Sequence, residues 1–379
     1  MPSSDPSFAP QKVVLFGSYA PSLIHFRGPL IAEMIRRGHL VTAMAPAIDE
    51  NTAAALRSLG ATPVSVALGR TSINPIEGLR AGRELRRMLR EMQADVLIAY
   101  TIKPIVVGVP AARAAGVKRA VALVTGLGYA FTGGREPKRL ISRAAATLLY
   151  RRAFTKSDVA VFQNENDRAD FARMGVLPTK VKSILVNGSG VDIDHYAPSP
   201  PPAEPSFLMI ARLLGDKGVR EYGEAARRLK QLHPSVTNSL VGGIGNEPDA
   251  ISREELNRFI GWGIDYLGAQ ADVRPFIAGH SVYVLPSYRE GTPRSVLEAL
   301  STGRAVITTD APGCRQTVEH GRNGLLVPPR DSDALFEAMR HLVENPQLIA
   351  PMGAVSRCIA EDKYDVRKVN AALLTAAGL

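Results

Sequence analysis

The amino-acid sequence predicts an α/β protein of two doubly wound, Rossmann-like domains facing each other across a cleft. Three observations point there. Apolar strand segments alternate with helical ones from Lys12 to about Val186, a proline-rich break follows, and a second alternating series runs from Phe207 onward. Alternation at this spacing implies parallel strands joined by crossover helices. At 379 residues the chain is long enough for two domains with full cores.

In the first series the strands read 13–16, 40–45, 63–67, 95–100, 120–124, 159–162 and 183–186. Helical stretches lie between them; one over 29–37 stops at Gly38, a residue that ends helices well. The break at 196–205, YAPSPPPAEP, reads as an interdomain linker. The second series has strands at 207–210, 237–241, 265–267, 282–285, 305–308 and 324–327, with helices over 331–343 and beyond Asn345. The expected domains are therefore 11–197 and 206–362, joined by 198–205, with a closing helix in 363–379 that packs back on the N-terminal domain. Open sheets of this kind bind ligands outside the carboxyl ends of their strands.

Composition narrows the class. The first ten residues lack the apolar core of a secretory signal and read as a loose leader. No apolar run approaches the ~20 residues needed to span a bilayer. Cys314 and Cys358 are the only cysteines, too few for a disulfide framework and without metal-ligand spacing. A reducing cytoplasm fits these features. The net charge of +10 is uneven: residues 1–197 hold 26 Lys/Arg against 15 Asp/Glu, and residues 198–379 hold 20 against 21. Such a concentrated excess bears on anionic partners.

Chemistry concentrates in residues 288–303, YREGTPRSVLEALSTG, directly after an apolar strand. Pro293 suits the first helical position, where its missing N–H costs nothing. The amides of Arg294, Ser295 and Val296 would then be donors at the positive end of a helix, a site for phosphate. Glu290 would sit just outside that helix and Glu298 in its second turn. In residues 211–218, ARLLGDKG, Arg212 offers a bidentate fork and Lys217 a point charge to the same anion. The cluster at 240–246, LVGGIGN, lacks the full dinucleotide fingerprint and reads as cleft-lining backbone around Gly243. No Asp-x-Asp or His cluster lies beside these segments to offer a metal site, so no metal and no other cofactor is expected.

These segments, with 309–319 (TDAPGCRQTVE) and 321–329 (GRNGLLVPP), resemble the family 4 retaining glycosyltransferases of the GT-B architecture. The resemblance implies that Glu290 contacts the donor hexose and Glu298 the nucleotide ribose. It gives Arg212 and Lys217 the leaving diphosphate, and Gly291, Thr292, Pro293, Arg294 and Ser295 the donor beside them. Residues 266–273, YLGAQADV, resemble the segment that holds the base, with Leu267 and Val273 at the contact. A front-face route is implied, the leaving phosphate oxygen taking the acceptor proton; a double displacement with Glu290 as nucleophile is the alternative.

In the first half the resemblance narrows to bacterial enzymes extending polyprenyl-diphosphate-linked glycans. TIKP at 101–104, VTGLGYAF at 124–131, FQNEND at 162–167 and NGSGVD at 187–192 carry it, together with Thr292-Pro293-Arg294. The expected acceptor side is Gly17, Ser18, His25 and Arg27 after the first strand, with Thr125, Gly126 and Gly128 after the fifth. The family often places a histidine in this region, and the latter loop has none. On a helix over 80–92, Ala81, Leu85, Met88, Leu89 and Met92 form an apolar stripe, with Arg80, Arg83, Arg86, Arg87 and Arg90 opposite. That face suits either solvent or anionic headgroups. The basic stretch 138–152 suits either a membrane interface or a core-facing crossover helix.

The expected function is a hexosyl- or hexosaminyltransferase using a UDP-linked donor and a polyprenyl-diphosphate-linked acceptor. It would work on the inner face of the cell membrane, held there peripherally, with no nucleic-acid partner. A hydrolysing sugar-nucleotide epimerase of the same fold and a non-catalytic scaffold of a polysaccharide assembly complex are the rivals.

Overall fold

The computed structural model describes residues 9–68, 75–126, 137–245, 247 and 249–379. The chain divides into two compact units, one formed by residues up to Ser189 together with Val369–Leu379, the other by Gly190–Lys368.

The first unit is built on seven parallel strands: β1 (Lys12–Phe16), β2 (Leu40–Ala45), β3 (Thr62–Ser65), β4 (Val96–Tyr100), β5 (Arg119–Val124), β6 (Val159–Phe162) and β7 (Lys182–Leu185). Their order is β3-β2-β1-β4-β5-β6-β7. Val13 pairs with Val41 on one side and Val96 on the other. Because strand side chains alternate, the central strands feed two cores. Val13, Leu15, Ile98, Val121 and Val161 fill one, while Val14, Phe16, Leu97, Ala122 and Phe162 fill the other. Val369, Leu373 and Leu374 of the closing helix Val366–Ala377 lie in the first of these cores. The second is covered by Leu85 and Leu89 of helix Pro75–Glu91 and by Tyr150 and Phe154 of helix Pro137–Phe154.

The second unit holds six parallel strands: β8 (Ser206–Ile210), β9 (Thr237–Val241), β10 (Ile264–Tyr266), β11 (Val282–Leu285), β12 (Ala305–Thr309) and β13 (Gly324–Val327), in the order β10-β9-β8-β11-β12-β13. Every strand read from the sequence is present, with ends moved by no more than two residues.

The proline-rich break lies inside the second unit. The chain enters that unit at Gly190, where the Val191 amide donates to the Tyr364 carbonyl at 2.8 Å and Val191 accepts from Val366 at 2.9 Å. Tyr196 is buried in its core, and Arg304, itself buried, donates from Nη1 to the Ser199 carbonyl at 2.8 Å. Composition marks prolines, whereas the division follows these hydrogen bonds.

Each strand order reverses once, between β1 and β4 in the first unit and between β8 and β11 in the second. Neighbouring loops diverge there at the carboxyl ends of the strands, leaving a crevice where such sheets hold ligands.

Candidate functional site

At the switch point of the second unit, the loop after β8 carries Arg212 and Lys217, and the loop after β11 carries Glu290. Lys217 Nζ lies 2.6 Å from Glu290 Oε1, with the two side chains only 16% and 17% exposed. The Ser287 hydroxyl also lies 2.9 Å from Glu290 Oε1. Burial works against the Lys217 charge, but Glu290 and then Asp216 outweigh it and raise its pKa; the charge of Arg212 pulls the other way. Lys217 is therefore a cation at neutral pH.

The backbone explains why these loops can meet. Gly218 has φ +75°, and a Cβ there would lie 2.2 Å from the Pro286 carbonyl oxygen. Gly313 has φ +84°, and its Cβ would lie 2.1 Å from the Glu290 carbonyl oxygen. Both positions combine a left-handed backbone with a close approach that excludes a side chain. The Glu290 amide donates to the Pro312 carbonyl at 2.9 Å, so residues 311–314 form the floor beneath it. Cys314 sits in that floor, its thiol pushed up to about 12 by burial and then by Glu290. Arg212 does not share the Lys217 partner: its Nη1 pairs with Glu247 Oε1 at 2.7 Å.

The helix start differs from the expectation by one residue. Pro293 is the N-cap, with φ −72° and ψ 111°, and the helix runs Arg294–Ser301. The Val296 amide donates to the Pro293 carbonyl at 3.1 Å, so it is not an open donor. A proline ahead of the helix keeps its carbonyl available for this tighter first turn. Glu298 lies in the second turn and is 7% exposed. Its Oε1 accepts from the Tyr196 hydroxyl at 2.9 Å and from Arg294 Nε at 2.8 Å. Burial lifts its carboxyl pKa above the ordinary value, against the opposing pull of Arg294. Gly291 accepts from the Thr292 hydroxyl at 2.9 Å, and Ser295 follows Arg294 in the first helical turn.

The remaining positions expected at the donor follow the neighbouring strands β9 and β10 of the same sheet. Gly243 follows β9 and accepts from the Leu213 amide at 3.1 Å. Leu267 follows β10, its amide bonded to the Leu240 carbonyl at 2.9 Å, and Val273 accepts from Ile277 at 3.0 Å at the start of helix Arg274–Ala278.

The switch point of the first unit is built from hydroxyls and glycine backbone, with one buried arginine. Gly17 follows β1, and a Cβ on it would lie 2.3 Å from the Tyr100 hydroxyl oxygen. Thr101 Oγ1, after β4, donates to Ser18 Oγ at 2.8 Å. Thr101 has φ +68°, a strained conformation for a β-branched residue. The Tyr100 hydroxyl is 2.8 Å from Ser22 Oγ, and burial raises its pKa. Arg27 is 4% exposed, its guanidinium carbon 5.2 Å from the centre of the Tyr100 ring. His25 is exposed at the end of the short helix Pro21–His25. Thr125 and Gly126 follow β5 on the adjacent strand, half-buried, with Gly126 at φ +150°. Gly128 lies outside the described residues.

Reading the sequence missed Tyr100, Ser22 and Ser287, and gave Glu247 and Tyr196 no role. Ser287 stands three residues before Glu290 at a strand end, a signal that was available. Tyr100 and Ser22 are 78 residues apart, and only the β1–β4 pairing joins them.

Arg80, Arg83, Arg86, Arg87 and Arg90 are all exposed on helix Pro75–Glu91, whose Leu85 and Leu89 are buried. Arg87 pairs with Glu91 at 3.7 Å, and Arg90 donates to the Ala114 carbonyl at 3.1 Å. Helix Pro137–Phe154 crosses between β5 and β6 and buries Tyr150, Ala153 and Phe154 while exposing Leu148 and Leu149. Among the described residues no helix is long and apolar enough to cross a membrane.

Residues 204–345 match the family described as "Glycosyl transferases group 1", and residues 27–185 match the "Glycosyl transferase 4-like domain". The chain is 30% identical over 86% of its length to the N,N'-diacetylbacillosaminyl-diphospho-undecaprenol alpha-1,3-N-acetylgalactosaminyltransferase of Campylobacter jejuni, covering 88% of that protein. It is 24% identical to the UDP-Gal:alpha-D-GlcNAc-diphosphoundecaprenol alpha-1,3-galactosyltransferase of Escherichia coli, over 73% of each chain. Among solved structures it resembles Anabaena HepE in complex with UDP, with a TM-score of 0.77 and 21% identity over 97% of this chain and 100% of that one. Sucrose-phosphate synthase from Thermosynechococcus elongatus shares the fold at a TM-score of 0.78, with 16% identity over 96% of this chain and 98% of that one. The chain belongs to the group 1, family 4-like glycosyltransferases, and its two Rossmann-like sheets are those of the GT-B fold.

Proposed function

We propose that this glycosyltransferase moves a hexose or N-acetylhexosamine, with retention of anomeric configuration, from a UDP-linked donor to a saccharide carried on polyprenyl diphosphate. The observation that carries the donor half is the buried Lys217–Glu290 pair at the second switch point, with Arg212 nearby. The acceptor class is supported by the Campylobacter jejuni and Escherichia coli relatives, both named for undecaprenyl-diphosphate substrates.

Bond cleavage leaves negative charge on the donor diphosphate. Lys217 and Arg212 meet that charge without a divalent ion, so transfer proceeds in the presence of a chelator. This is electrostatic stabilisation of a developing anion by fixed groups. In the front-face route the acceptor oxygen bonds to the anomeric carbon as the carbon–phosphate oxygen bond breaks. The acceptor proton passes to the departing phosphate oxygen. Glu290 Oε1 already receives Lys217 and Ser287, which lowers its power as a nucleophile and favours this route over double displacement. Glu290 then orients the donor hexose, and Glu298 the ribose.

The first switch point, with its hydroxyls of Ser18 and Thr101 and the buried Arg27, takes the acceptor saccharide and its diphosphate. Exposed arginines on helix Pro75–Glu91, with Leu148 and Leu149 on the crossover helix, supply peripheral attachment to an anionic membrane face. Each basic group near such a surface contributes ~1 kcal/mol.

The test is mass spectrometry of lipid-linked products after incubation with a panel of UDP-sugars and a polyprenyl-diphosphate saccharide, with and without chelator. One added sugar, chelator present, is expected. Free or epimerised sugar released without any acceptor would replace the transferase reading with a hydrolysing epimerase.

A further inference from the structure

The glycine cluster after β9 is laced to the loop that carries Arg212. Leu213 bridges to Ile244 and Leu214 to Ala250. The Gly215 amide donates to the Asp249 carbonyl at 2.8 Å, and the Ile251 amide to the Leu213 carbonyl at 2.9 Å. A Cβ on Gly242 would lie 1.8 Å from the Ala211 carbonyl oxygen, so bare backbone is what allows the two loops to touch. Out of this lacing rises Glu247, whose Oε1 meets Arg212 Nη1 at 2.7 Å. Its other oxygen lies where a side chain on Gly245 would stand, 1.9 Å from an ideal Cβ.

The two ion pairs at this site differ in kind. Lys217–Glu290 is buried, whereas Arg212 and Glu247 are 60% and 44% exposed. Exposed pairs contribute little and exchange readily. A carboxylate and a phosphate also ask the same thing of a guanidinium, two acceptor oxygens for its planar fork.

We propose that Glu247 is an internal competitor for the donor diphosphate: it holds the Arg212 guanidinium in the empty site, yields it when the nucleotide sugar arrives, and retakes it as the nucleotide leaves. The inference rests on the donor reading of Arg212. Glu247 thereby sets nucleotide affinity without touching the sugar, and it speeds release of the product diphosphate. The neighbouring Asp249 pairs instead with Arg220 at 3.0 Å, so it provides a carboxylate of equal charge in the same loop that does not compete for Arg212.

The experiment is calorimetric titration of the full chain with UDP, and separately with inorganic pyrophosphate, for the native protein, Glu247→Gln, Asp249→Asn and Glu247→Gln combined with Arg212→Gln. Glu247→Gln is expected to tighten both ligands roughly three- to fivefold, the size expected from one exposed ion pair. That gain shrinks as salt is raised. It disappears when measured against Arg212→Gln alone, as coupled partners require. Asp249→Asn leaves both affinities within about twofold, the spread expected of an uncoupled site. Unchanged affinity in Glu247→Gln, or an equal gain in Asp249→Asn, would overturn the proposal. Tightened pyrophosphate binding in a protein that ignores UDP would remove the uridine assignment and leave the competition standing.

Discussion

The two switch points occupy equivalent places in their sheets and are built from opposite chemistry. That of the second unit is charged: a buried lysine–glutamate pair, a second carboxylate in the second turn of the adjoining helix, and an arginine at the rim. That of the first is lined largely by neutral groups, with the hydroxyls of Ser18 and Thr101 and of Ser22 and Tyr100 bonded in two pairs, a glycine pressed against a tyrosine ring, and Arg27 beside them. On the proposed function, the difference follows from what each holds. A leaving diphosphate develops charge during the reaction and needs fixed cations. A sugar acceptor keeps its hydroxyls and needs hydrogen-bond partners at fixed distances.

Breaking the charged site should have the largest effect. Glu290→Ala leaves Lys217 buried without its carboxylate, at a cost of about 3 kcal/mol in stability. Transfer should fall by at least ~10²-fold. Glu290→Gln keeps the size and a polar partner for Ser287, so it should fold closer to normally and lose transfer to a similar degree. Thermal melts and initial rates on the two variants separate the effects; transfer by Glu290→Gln at the native rate would remove Glu290 from the chemistry.

Next in size is Gly17→Ala. Its new methyl enters the space of the Tyr100 ring, and crowding of this kind costs about 1–3 kcal/mol. Denaturant melts should show that loss, and pairing the change with Tyr100→Leu should recover part of it, because the two sites share one contact. Strict additivity would mean that the ring is not what Gly17 accommodates. Tyr100→Phe is milder, removing one buried hydroxyl and leaving Ser22 without that partner, for about 1 kcal/mol. It should alter the dependence of rate on acceptor concentration and leave UDP affinity alone.

The pH behaviour of Glu298 gives the smallest and most specific comparison. Its pKa is raised in the folded protein, chiefly by burial, so the folded state holds this proton more tightly than the unfolded chain does. The associated stability is fully present below the unfolded carboxyl value and is lost as pH rises through the folded one. The melting temperature of the native protein relative to Glu298→Gln should therefore fall as pH rises above the unfolded carboxyl value. A difference that grows with pH would reverse the assignment.

Legibility divides along the same line. The central strands could be read from apolar runs, because parallel strands buried on both faces carry a continuous hydrophobic signal, while the edge strands β3 and β7 are only partly covered. Glu290, Glu298, Arg212 and Lys217 could be singled out because they follow strand ends, where sheets of this kind hold ligands. Their pairing was not: Lys217 and Glu290 are 73 residues apart, and Arg212 turns to Glu247. At the first switch point the sequence pointed to Gly17 and Ser18 from position alone. The contacts that give them meaning come from Tyr100 at the end of β4 and Thr101 just after it, brought alongside by strand order. Prolines at 198–205 suggested a boundary, while the buried Tyr196 and Arg304 tie that stretch into the second unit.

The division of labour between the two switch points is tested most directly by titrating UDP into the native protein, Lys217→Gln and Ser18→Ala, each checked for folding by its thermal melt. Lys217→Gln should weaken UDP at least tenfold, the loss of one charge-assisted contact, while Ser18→Ala should bind UDP as the native protein does and lose only in its response to acceptor. Equal weakening of UDP in both variants, or none in Lys217→Gln, would contradict the separation of donor and acceptor.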